Sequence, residues 1–155
     1  LKDEYPDMFP KDERANLISE NTYLLQEIIT DPSNLNKIKF KNNFDNKSYA
    51  IQVHCHEKTL VGENVSVDSL KLIPNSDVEK IPSGCCGMAG AFGYEKEHYD
   101  ISKKIAEDRL IPYINNMKKN TQIAITGVSC RHQIKDFSNQ NPKHILEIIA
   151  ENIIN

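Results

Sequence analysis

Apolar positions along the 155 residues change period several times, and the changes mark alternating helices and strands. Over residues 11–30, Leu17, Leu24, Leu25 and Ile28 fall on one face of a helix, which Asp31-Pro32-Ser33 ends. The asparagine- and lysine-rich stretch 34–47 reads as an exposed connection. Residues 48–53 form a short apolar strand that runs into His54-Cys55-His56. A short helix is predicted over 65–73, and the alternation of 77–82 predicts a second strand. The longest helix spans 96–118, with Tyr99, Ile105, Leu110 and Ile114 as core contacts and Pro112 ending or kinking it. A third strand, 121–126, leads into Gly127-Val128-Ser129-Cys130. Asn141 is expected to cap a last helix with Pro142 at its first position and Ile145, Ile148 and Ile149 as its apolar face.

This order predicts an α/β fold: a small parallel sheet with helices on both faces, in one domain over 1–155. Ligands of such sheets bind beyond the carboxyl ends of the strands. All three predicted strands end at cysteines, namely Cys55, the Cys85–Cys86 pair and Cys130. A parallel arrangement would bring the four thiols to one edge.

Composition narrows the function classes. The chain is 39% hydrophobic and 26% charged, enough for one compact core. Its 19 basic and 22 acidic residues leave a net charge of −3, with no basic block to attract nucleic acid. No apolar run approaches the ~18 residues of a transmembrane segment. The opening, Leu1-Lys2-Asp3-Glu4-Tyr5-Pro6-Asp7, is charged and unlike a secretory leader, and its first residue is not methionine. A piece of a longer, cytoplasmic protein is therefore expected, with reduced thiols and membrane association only through partners.

Chemistry concentrates in Ser83-Gly84-Cys85-Cys86-Gly87-Met88-Ala89-Gly90-Ala91-Phe92-Gly93-Tyr94. Adjacent thiols point to different faces and pack awkwardly in a core, whereas recurring glycines let the backbone approach whatever the cysteines hold. Four thiolates suit a tetrahedral zinc or an iron–sulfur cluster. Paired Cys-x-x-Cys hooks, usual for structural zinc, are absent, and an adjacent pair fits two irons of a cluster more easily than one small ion. Amides around Gly84, Gly87 and Gly90 would donate to cluster sulfurs. Lys58, Arg131 and helix N-termini after the loops at 56–65 and 93–98 would add positive potential. His54 and His56 flank Cys55 as hydrogen-bond donors, His132 is a candidate to complete the site, and His98 and His144 lie on predicted helices. Buried structural cysteines, a phosphate loop and a cysteine protease are the competing explanations. The glycines lack the Gly-Lys-Ser/Thr ending of a phosphate loop, and nothing orients a protease base.

At these residues the chain resembles the cysteine-rich CCG domain found in heterodisulfide reductase (its B subunit), in the anaerobic glycerol-3-phosphate dehydrogenase C subunit and in glycolate and lactate oxidation proteins. It is also similar to the C-terminal module of FAD-linked oxidases of the D-lactate and D-2-hydroxyglutarate dehydrogenase type. The likeness rests on His54-Cys55-His56-Glu57-Lys58, on the segment from Gly84 to Glu95, and on Gly127-Val128-Ser129-Cys130-Arg131-His132-Gln133-Ile134, with Asp3-Glu4-Tyr5-Pro6 as the opening. The resemblance implies that Cys55, Cys85, Cys86 and Cys130 ligate a cluster, of the 4Fe-4S type, with Gly84, Gly87, Gly90 and Lys58 around it. It also implies an electron-transfer role beside FAD and ferredoxin-like domains of a parent chain, with a separate electron acceptor. Heterodisulfide reductase ends its module in Cys-x-x-Cys, whereas Arg131, His132 and Gln133 follow Cys130 here. A four-thiolate cluster, or a site completed by a histidine or an upstream segment, is expected rather than a five-cysteine one. Some relatives' modules carry zinc, so a zinc-stabilised docking domain is the rival, and an empty interaction domain with free thiols is a third possibility.

Overall fold

A computed structural model describes residues 1–42, 45–88 and 90–154. Asn43 and Phe44 of the connection, and Ala89 of the Cys-Cys motif, lie outside the described residues. In chain order the elements are α1 (Glu4–Met8), α2 (Glu13–Glu20), α3 (Leu25–Thr30), β1 (Lys47–Gln52), α4 (Cys55–Leu60), α5 (Asn64–Lys71), β2 (Ser76–Lys80), α6 (Tyr99–Ile105), α7 (Ile111–Asn116), β3 (Gln122–Ile125), α8 (Val128–Phe137), β4 (Lys143–His144) and α9 (Ile145–Asn152). A π-helical turn, Ala106–Leu110, joins α6 to α7.

The four strands form one parallel sheet in the order β2-β1-β3-β4, with Tyr49 opposite both Val78 and Gln122. Side chains alternate between two cores, as the period of a strand requires. Tyr49, Ile51, Val53 and Ala124 pack with Ile29, Leu70, Ile73, Ile145 and Ile148 on one face. Ala50, Ile123 and Ile125 pack with Leu110, Ile114, Ile134, Cys86 and Cys130 on the other. The expected α/β architecture is present, and the second core reaches two of the four cysteines.

Five local expectations are corrected. The helix of 11–30 is two helices, because the Asn21 amide and Thr22 hydroxyl donate to the Leu17 and Ile18 carbonyls at 2.8 and 2.7 Å and stop α2. The break shifts the helical phase, so Leu17, Leu24, Leu25 and Ile28 are exposed, while Ala15, Gln26 and Ile29 are buried. In the long helix, the wider π turn rotates the apolar stripe. Leu110 and Ile114 are buried as expected, but Tyr99 and Ile105 stay largely exposed. Pro112, lacking an N–H, stands in the first turn of α7 at that change of register.

Asn141 does not cap the last helix. Residues 143–144 are recruited as an edge strand against β3, and the cap is His144, whose Nδ1 accepts from the Leu146 amide at 3.3 Å. Finally, neither β1 nor β3 extends into its cysteine motif. Cys55 begins α4, and Cys130 lies in the first turn of α8.

Candidate metal centre

Each strand on the site side passes through a short turn and delivers a cysteine. After β1, His54 is extended (φ −62°, ψ 140°) and caps α4, its Nδ1 accepting from the His56 amide at 3.3 Å. Its own amide donates to the Thr126 hydroxyl at 2.8 Å, which ties the end of β1 to the end of β3. The His54 ring lies where a Cβ on Gly127 would stand, so glycine is needed at the start of α8. His54 and His56 therefore belong to a turn and a helix, not to an extended strand with Cys55 between them.

The Cys85–Cys86 loop is held from below by Gln52, which is 1% exposed at the end of β1. Its side-chain carbonyl accepts from the Ser83 hydroxyl at 2.5 Å and its amide faces the Gly84 carbonyl at 3.4 Å. Gln133 of α8, fully buried, donates to the Cys86 carbonyl and to the Ser102 carbonyl, the latter at 3.2 Å. Buried amides of this kind fix a loop strongly, since unpaired carbonyls in a core are costly. Gly87 takes φ +67°, and a Cβ there would sit 2.4 Å from Ile105 Cδ1. Gly90 is also left-handed (φ +57°) but in open space, and Gly84 is unobstructed.

These supports place the thiols as two pairs. Cys55 and Cys85 are 3.9 Å apart, Cys55 half-buried and Cys85 exposed. Cys86 and Cys130 are both buried in one core and close enough for each to shift the other's pKa. The Cys130 thiol lowers the pKa of Cys86, aided by the Met88 amide, the Ser129 hydroxyl and the positive potential of His54. Cys86 and burial push Cys130 up. Burial, then the charge of Cys85, raises Cys55. The Gly87 amide donates to Cys85 Sγ at 3.4 Å.

Other candidates are engaged elsewhere. Lys58 bonds the Ser83 carbonyl at 3.1 Å and pairs with Glu63 at 3.7 Å, bracing the loop by its backbone. Arg131 pairs with Glu147. His132 Nδ1 meets the Tyr94 hydroxyl at 2.9 Å, and His98 pairs with Glu95 and stacks on Phe92. Asp3 of the opening segment stands 3.6 Å from His56 Nε2. Gln52, Gln133, Ser129 and Asp3 were not singled out from the sequence. Asp3, Ser129 and Gln133 carried a signal only through the motif segments of the resemblance, and Gln52 carried none.

Among the described residues, no three cysteine sulfurs lie within 4.8 Å of one another. A single zinc with bonds of about 2.3 Å needs all its sulfurs at roughly 3.8 Å separations. The Cys55–Cys85 pair meets that spacing, but the set as a whole does not. Four soft donors in two pairs fit a group with several metal atoms.

The fold and the thiols together define a small parallel α/β domain with a cysteine centre at the carboxyl edge of its sheet. The chain is similar to dehydrogenases. It is 31% identical over 111 residues to D-2-hydroxyglutarate dehydrogenase of Pseudomonas putida, covering 67% of this chain and 10% of that protein. Over 75 residues it is 35% identical to the enzyme of that name from Haemophilus influenzae, covering 48% and 7%. Over 99 residues it is 24% identical to the C subunit of the anaerobic glycerol-3-phosphate dehydrogenase of Escherichia coli K12, covering 63% and 24%. The chain thus spans about a tenth of the D-2-hydroxyglutarate dehydrogenases and about a quarter of the glycerol-3-phosphate dehydrogenase polypeptide. No family model and no solved structure matches it. None of its helices, among the described residues, is long and apolar enough to cross a membrane.

Proposed function

We propose that the chain is a CCG-type module of an FAD-linked 2-hydroxy-acid dehydrogenase, and that Cys55, Cys85, Cys86 and Cys130 hold an iron–sulfur cluster in it. The observation that carries this reading is the convergence of four thiols, from three separate strand-to-helix connections, as two pairs at one sheet edge. Such a cluster supplies a one-electron carrier when bound. The chain's own residues ligate it, bury its Cys86–Cys130 side and fix the loop through Gln52, Gln133 and Gly87. Gly84, Gly90 and Lys58 shape the same loop. Oxidation of the hydroxy acid belongs to an FAD domain elsewhere in the parent protein, with ferredoxin-like domains and an acceptor as partners. The setting is cytoplasmic, the domain covers 1–155, and the module sits at the C-terminal end of its parent.

Similarity to D-2-hydroxyglutarate dehydrogenases favours this substrate class over glycerol 3-phosphate, since identity is higher there. The 3.9 Å separation of Cys55 and Cys85 favours a second reading, a zinc-stabilised docking domain without redox chemistry. Elemental analysis of the chain purified without oxygen separates them. Several irons and sulfides per chain, lost in each single Cys→Ser variant, are expected. One zinc per chain, with no iron, would establish the docking domain instead.

A further inference from the structure

One wall of the centre opens to solvent, and its chemistry is specific. A groove of about 430 Å³ runs beside Cys85, between the Cys-Cys loop and the helical segment that carries Ile101, Lys104, Ile105, Asp108 and Arg109. Cys85 is the one exposed thiol of the four. Ile101 and Ile105, one turn apart on α6, are 45% and 38% exposed, and Ile105 also packs against the loop at Gly87. Together they give the groove an apolar wall beside the exposed thiol. The groove's far end is formed by the π turn, a distortion frequent at functional sites.

Charge identifies the occupant. Arg109 is neutralised by Asp108 at 3.3 Å, and Lys103 faces Glu107 at 3.9 Å. Lys104 is exposed and, among the described residues, has no hydrogen bond or ion pair. The groove lining, with Lys104, Arg109 and Asp108, thus carries a net charge of +1 beside the exposed cysteine on a chain whose net charge is −3. Such local focusing selects partners of opposite charge.

We propose that the Cys85 groove is the docking surface through which the centre exchanges electrons with a protein partner whose contacting face is apolar and carboxylate-bearing. Ile101 and Ile105 supply the apolar contact, and Lys104 supplies the orienting charge. This rests on the iron–sulfur reading above.

Two measurements on the chain test it, each with Lys104→Glu and with Lys11→Glu, an exposed site outside the groove that gives the same change in net charge. In the first, the dithionite-reduced chain is mixed with ferricyanide, an anionic stand-in for the partner. Each ferricyanide takes one electron from the centre and becomes ferrocyanide. Lys104→Glu should slow this oxidation about three- to tenfold, while Lys11→Glu changes it less than about twofold, with iron content unaltered. Cationic hexaammineruthenium(III) should show the reverse order.

In the second, metal-free chain is labelled with dianionic dithiobis(nitrobenzoate) or with neutral dithiodipyridine, and mixed disulfides at Cys85 are counted by mass spectrometry. In each case the Cys85 thiolate displaces one aryl thiolate. Lys104→Glu should slow only the dianionic reagent. Equal effects of the two substitutions in both measurements would overturn the docking surface while leaving the cluster standing. A chain that takes up zinc and no iron would overturn the electron-exchange role and the cluster reading together, whatever the labelling shows.

Discussion

At Gly87 two constraints meet in one residue. Its φ of +67° is unfavourable for any side chain, and Ile105 occupies the space a Cβ would need. Gly90 shares the first constraint only. Gly90→Ala should therefore cost about 1 kcal/mol of stability, from the left-handed backbone. Gly87→Ala should add no more than about 0.5 kcal/mol to that, because the atom in the way is the terminal methyl of Ile105, a largely exposed side chain that can turn aside. Chemical denaturation of the two variants measures the difference, and a much larger loss at Gly87 would mean that Ile105 is pinned against the loop. Gln133 offers a comparable test. Replacing it with the similarly sized Met leaves the Cys86 carbonyl without its donor, while the Ser102 carbonyl keeps the Ala106 amide, at a cost of about 1–3 kcal/mol. Labelling of Cys86 by a neutral thiol reagent should rise in that variant as the loop loosens. The cysteines and glycines stood out in the sequence as candidates because their types carry chemistry by themselves. Gln52 and Gln133 were not, because a glutamine becomes a core residue only through carbonyls that tertiary structure brings to it.

Elements show the same division between local and distant causes. The three longer strands and the Ile145, Ile148 and Ile149 face of α9 were readable, since each buries side chains at its own period. Helix α4 was missed because its six residues, Cys-His-Glu-Lys-Thr-Leu, are too few to show an apolar stripe, and α8 because its stripe of Cys130, Ile134 and Phe137 includes a cysteine read as a ligand at a strand end. Strand β4 is too short to show a period. The broken helix at the N-terminal end reversed an inside–outside assignment, and stability measurements can check it. Leu17→Ala should change unfolding free energy by less than about 0.5 kcal/mol, whereas Ile29→Ala, in the core, should cost about 2–5 kcal/mol. Similar losses at both positions would restore the single-helix reading.

Packing of α7 on the sheet edge has a pH signature. The Tyr113 hydroxyl donates to Glu79 of β2 at 2.8 Å, and burial together with that carboxylate pushes its pKa up to about 12. In the unfolded chain the phenol ionises near its ordinary value of 10. The unfolded state thus loses the proton first, so this group's contribution to stability is complete below pH 10 and is lost as pH rises through about 12. Ultraviolet titration should find Tyr113 ionising late, beside Tyr49 and Tyr94, which burial also raises, and Glu79→Gln should move Tyr113 alone back toward its ordinary range. A Tyr113 that titrates alike in both proteins would rule out the contact.

Across the whole molecule, the parallel sheet separates two cores, and only one of them reaches the cysteines. Convergence of the thiols was legible because parallel strands must present their carboxyl ends together. Their division into a solvent-facing and a buried pair was not, since it depends on the loop geometry set by Gln52 and Gln133. Metal binding should accordingly stabilise the site side most, by the usual linkage of ligand to the folded state. Removing metal should lower the melting temperature and expose amides of 84–88 to hydrogen exchange, with those of β1, β3 and α9 still protected. Uniform loss of protection would mean that the fold depends on the centre throughout.

If the four thiols hold a redox-active cluster, the chain's visible spectrum will show it. The chain, purified without oxygen or reconstituted with iron and sulfide, should be brown and should bleach with dithionite. A colourless chain with one bound zinc, unchanged by dithionite, would contradict the account and leave a docking domain in its place.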